Sequence, residues 1–192
     1  MKRNREQNMK NHERTTTALN RLIEQAVAND GESEAYLCTL RLPKQFNDNH
    51  NLSNEIYMKT QSDFCKTVFR KTGSTPHYVG VKTDNNSNPE YAFCLFTKPN
   101  AKLEIPEDYA EKGRAIANTK SMNAGWGKGK LDLLAVFADA PMFKVSSQPI
   151  HITNENKDEV MIRLQEHLNS GTDKRQQNQR TMFVSRCPVN KK

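Results

Sequence analysis

Residues able to do chemistry are present in this chain, but few stand at spacings that would let them act together. The four cysteines, Cys38, Cys65, Cys94 and Cys187, are scattered and form no Cys-x-x-Cys pair. Three of them lie in apolar segments, which argues against a zinc site and for reduced core thiols in a cytosolic protein. His77 and His151 each stand alone, as surface or hydrogen-bonded core imidazoles do. Asp63, Asp84, Glu104, Asp108 and Asp132 show no paired-carboxylate spacing. The run Gly125-Trp126-Gly127-Lys128-Gly129-Lys130 is glycine-rich and basic, yet it lacks the Walker spacing and the following Ser or Thr. A flexible loop holding an anchored tryptophan accounts for it better.

The segment with the most information is a hairpin. His77-Tyr78-Val79-Gly80-Val81-Lys82 reads as a first strand, Asn85-Asn86-Ser87-Asn88-Pro89 as the turn, and Glu90 to Phe96 as the second strand. Alternation puts Tyr91, Phe93 and Leu95 on one face and Glu90, Ala92, Cys94 and Phe96 on the other. Tyr91 and Phe93 are read as core side chains in preference to stacking platforms for nucleic acid.

The elements that must position this hairpin follow from periodicity. Leu19, Leu22, Ile23, Ala26 and Val27 share one face of a helix from about Asn11 to Asn29, which Asp30-Gly31 stops. Tyr36 to Leu42 predicts a strand ended by Pro43. A second helix starts near Ser53, carries Ile56, Tyr57, Phe64 and Val68 inward, and ends before Thr72-Gly73. Residues 106–122 suit a third helix, with Tyr109, Ile116 and Ala117 inward, and 131–137 a further strand. Asn156 with Glu159 three residues on has the form of a capping box for a last helix, which carries Val160, Met161, Leu164 and Leu168. This order predicts an α+β fold, a central antiparallel sheet with helices on one face.

Composition limits the function classes. The chain has 192 residues, 35% of them hydrophobic, and a formal net charge of +7. Its mean hydropathy is -0.87, and no apolar run reaches the roughly 20 residues of a membrane span. The first residues lack the apolar stretch of a secretory signal, so a cytoplasmic location is expected. Both ends are basic. Lys2, Arg3, Arg5, Lys10 and Arg14 face only Glu6 and Glu13, and Lys174, Arg175, Arg180, Arg186, Lys191 and Lys192 form an acid-free stretch. The expected organisation is a basic flexible N-terminus over residues 1–10, a single domain over 11–186 and a basic tail over 187–192. Lys174, Arg175, Arg180 and Arg186 are the candidate binding residues, toward phosphates or an acidic protein surface.

The layout resembles the inovirus replication-protein-like family, relatives of the filamentous-phage gene-two initiators found in prophages and phage satellites. The resemblance runs from about Asn11 over most of the chain. It rests on Pro89-Glu90-Tyr91-Ala92-Phe93-Cys94-Leu95-Phe96, on Trp126 ahead of Leu131-Asp132-Leu133-Leu134, on His167-Leu168-Asn169-Ser170, on Lys174, and on Arg180-Thr181-Met182-Phe183-Val184-Ser185-Arg186. It implies a replication-initiator domain of the HUH-endonuclease type. In an active member, two strand histidines hold a divalent ion against the scissile phosphate and a helix tyrosine attacks it. Here those positions are Glu90, Ala92 and His167, and the following lysine position is Ser170. A methyl group ligates nothing, so the resemblance implies a degenerate member that has lost nicking, with no catalytic metal and no cofactor.

Three functions follow as expectations. The first is a non-catalytic interaction protein that binds the small terminase subunit of a helper phage and redirects DNA packaging to the mobile element, as some relatives carried by phage-inducible chromosomal islands do. The second is a DNA-binding initiator or regulator of a prophage element, although no helix-turn-helix is apparent. The third, ranked last, is a nuclease using His167 as nucleophile or Glu90 as a lone metal ligand.

Overall fold

The computed structural model describes residues 2–41, 50–84, 89–99, 143–146, 148–169 and 181–184. They form α1 (Lys2–Asp30), β1 (Glu32–Arg41), α2 (His50–Thr72), β2 (His77–Asp84), β3 (Pro89–Thr97), β4 (Phe143–Val145), β5 (Ile150–Thr153), α3 (Lys157–Asn169) and β6 (Thr181–Val184). The expected helix over 106–122, the glycine-rich loop and the strand over 131–137 lie outside the described residues.

The sheet is antiparallel in every described pairing, in the order β4-β1-β3-β2-β6, with β5 also on β1. β4 pairs with Cys38–Leu40 and β5 with Glu32–Ala35, so two short strands share one edge of β1. Between them Ser146 serves Leu37 twice. Its backbone N–H donates to the Leu37 carbonyl at 2.9 Å, and its hydroxyl accepts the Leu37 N–H at 3.1 Å. Both backbone groups of Leu37 are therefore paired across the gap.

Register fixes the two faces. Tyr36, Cys38 and Leu40 stand opposite Leu95, Phe93 and Tyr91, and Tyr78, Gly80 and Lys82 continue that face on β2. Helix α2 covers it: Tyr57 stacks on Tyr91 with ring centroids 4.3 Å apart and meets Phe93 edge-on at 6.1 Å. The other face carries Ala35, Val79, Val81, Ala92, Cys94 and Phe96 against α1 and α3, which supply Leu19, Leu22, Ile23, Val27, Val160, Leu164 and Leu168. Lys157 Nζ reaches Glu24 Oε1 at 2.8 Å, joining α3 to α1 at the surface.

The α+β class and the antiparallel sheet match the sequence reading, but helices on one face do not. They lie on both. The physical reason is β3, where every residue from Tyr91 to Thr97 is buried. A strand apolar at successive positions must be covered from both sides. Tyr91, Phe93 and Leu95 are buried together, each at 0% exposure, as the alternation required.

Helix ends follow local chemistry. Gly31 and Gly73 take φ of 74° and 69°, and their N–H groups bond the Val27 and Phe69 carbonyls, both at 2.8 Å. This left-handed C-terminal cap strains other residues. At the start of α3 the side chain of Asn156 folds back rather than closing a capping box forward. Its Oδ1 accepts the Thr153 N–H at 2.8 Å and its Nδ2 donates to the His151 carbonyl at 3.0 Å, pinning the helix start to β5.

Candidate functional site

The three positions singled out on the hairpin and the last helix meet at one corner of the sheet. Glu90 and Ala92 alternate on β3 toward the α1 and α3 face, and α3 carries His167 over the same face. Ala92 is packed into the core with Leu164 and Leu168. Glu90 Oε2 is held by Arg41 Nε at 2.7 Å, from the residue paired with it across β1 and β3. The glutamate side chain is 13% exposed and the arginine 55%.

His167 is fixed as well. Its Nε2 lies 3.0 Å from the Cys38 carbonyl oxygen, which can only accept, so Nε2 carries the proton of that bond. Burial pushes the imidazole below its ordinary value of 6.5, against the opposing pull of the Cys38 and Phe93 carbonyls and the Glu90 carboxylate. The ring is therefore mainly neutral at pH 7, with the nitrogen facing the sheet acting as donor rather than nucleophile.

Other sequence candidates distribute as follows. His151 pairs with Glu32 at the surface, 3.0 Å from Oε2. His77 is half-buried at the start of β2, and burial lowers its pKa. Among the described residues no three His, Cys, Asp or Glu side chains come together. Burial raises the thiols of Cys38 and Cys94, and it pushes Cys65 up to about 12, so all three are protonated near neutral pH. Lys174, Arg175, Arg180 and Arg186 lie outside the described residues. Of that basic stretch, 181–184 forms β6 and pairs with Val79–Lys82 of β2, with Phe183 opposite Gly80.

The opposite face holds a cluster that the sequence reading missed. Lys82 is 2% exposed, its Nζ is 3.3 Å from Asn54 Oδ1, and it lies 5.5 Å from the centroid of the Tyr91 ring. Asn54 Oδ1 also receives the Tyr91 hydroxyl at 3.5 Å. The signal available was the alternation of Tyr78, Gly80 and Lys82, which puts the lysine on the aromatic face. On the same face, between α2 and β2, runs a cleft of about 380 Å³ bordered by Met58, Gln61, Cys65, Phe69 and Tyr78.

No protein-family model, curated protein or solved structure matches this chain.

Proposed function

We propose that the chain is a non-catalytic interaction protein of a phage satellite or prophage, which binds the small terminase subunit of a helper phage and redirects packaging to the mobile element. One observation carries the non-catalytic part. At the corner where the initiator-like layout would do its chemistry, each side chain is engaged by the fold itself: Glu90 by Arg41, Ala92 by the core and His167 by the Cys38 carbonyl. A carboxylate held in an ion pair and an imidazole donating to a backbone carbonyl support binding better than phosphoryl transfer. The partner follows from the resemblance of the hairpin and C-terminal segments to proteins of phage satellites, together with the basic ends of the chain.

Affinity purification from phage-infected cells, read by mass spectrometry, tests it. Recovery of the small terminase subunit is the expected result. Its absence, alongside DNA binding that falls steeply with salt, would favour the DNA-binding regulator, for which the acid-free stretch from Lys174 is the supporting feature.

A further inference from the structure

The cleft beside α2 combines an apolar wall with an amide that has nothing to bond. Met58 and Phe69 are 41% and 49% exposed, unusual for large apolar side chains, and Tyr78 of β2 stands opposite them. The two lie eleven residues apart on one helix, so they mark points about 16 Å apart along α2. Gln61, between them, is 2% exposed, and neither Nε2 nor Oε1 has a hydrogen-bond partner. A buried carboxamide with both its donor and its acceptor unmatched is an unfavourable arrangement for the free molecule. It complements one kind of group well, an extended peptide backbone, which offers an N–H and a C=O at adjacent positions.

Charge selects among such peptides. Lys66 lines the cleft, Arg70 and Lys71 follow in the last turn of α2, and no carboxylate lines it among the described residues. We infer that this cleft is the docking site for an extended acidic segment of the protein partner, with a bulky apolar side chain seated against Phe69 and Tyr78 and the backbone paired with Gln61. The inference rests on the reading of the chain as a binding protein and adds the surface used and the chemistry of the bound segment. The cleft lies on the α2 face, across the sheet from the Glu90 and His167 corner.

A random-peptide display library selected against the intact chain tests it. The expected outcome is a consensus of acidic residues around an aromatic or branched apolar one. Phe69→Glu, at a half-exposed position that folding tolerates, is expected to weaken a selected peptide by about tenfold or more. Gln61→Met should weaken the same peptide while raising Tm by roughly 2–4 °C, because it removes the unmatched amide at similar volume. A purely structural glutamine would not give that opposed pair of effects. No acidic consensus, or equal affinity in Phe69→Glu, overturns the inference. So does a single-stranded oligonucleotide whose binding Phe69→Glu abolishes while peptides are unaffected. The small terminase subunit is titrated against the same variants: failure to bind the unaltered chain defeats the partner assignment, whereas binding untouched by Phe69→Glu defeats only the cleft.

Discussion

His167 and Glu90 illustrate how much one side chain's surroundings decide. An imidazole and a carboxylate near one another on a sheet corner are ingredients of a metal or acid-base site, but each is engaged elsewhere, with the Cys38 carbonyl and with Arg41. The burial of His167 and His77 makes a pH prediction. Both have folded pKa values below the ordinary 6.5, so the unfolded chain takes up protons first as pH falls. Stability is therefore full above about pH 6.5 and declines as pH drops through the window between the unfolded and the lowered folded values. His167→Gln, which keeps a donor toward the Cys38 carbonyl, should flatten that decline in urea unfolding at pH 5 and pH 7. An unchanged slope would contradict the buried, neutral imidazole. At Glu90 the expected result is null: neither the parent chain nor Glu90→Ala should cleave single-stranded DNA with manganese. Cleavage that Glu90→Ala removes would restore a catalytic reading.

Among the elements, β3 and its neighbours determine the architecture. Phe93 is fully buried between β1, β2 and α2, so Phe93→Ala should cost about 3–5 kcal/mol in denaturant unfolding. Gly80 makes the approach of α2 possible. A Cβ there would sit 2.6 Å from the Tyr57 hydroxyl oxygen and 2.7 Å from the Phe93 Cβ, and the second neighbour cannot swing away. Gly80→Ala should therefore destabilise by about 1–3 kcal/mol, and a neutral result would mean that α2 rides higher on the sheet. The sequence made the hairpin, α1 and α3 legible because each has a clear apolar period and, at α1, a glycine stop. It did not reveal the second covered face. Alternation divides the run Tyr91 to Phe96 into two sets, and both are apolar enough to need cover, as their burial shows. β4 and β5 were missed because three and four residues are too few for periodicity to register. The corner of Glu90, Ala92 and His167 was legible from motif order, but Arg41 was not, since only the pairing of β1 with β3 brings it there.

For the molecule as a whole, one sheet face is closed by α1 and α3 over a continuous apolar core, and the other carries α2, a buried lysine and an open cleft. No described helix is long and apolar enough to cross a membrane. Charge reversal at Arg175 and Arg180, in the acid-free stretch, is expected to weaken partner capture with Tm nearly unchanged. Capture that survives both reversals would move the charged part of the interface away from the C-terminal stretch. The most direct measurement of the central claim is a calorimetric titration of the purified chain with the purified small terminase subunit at physiological salt. Saturable binding with a Kd of about 1 μM or tighter is the expected result. No detectable heat at concentrations well above that, with nucleic acid binding in its place, would contradict it.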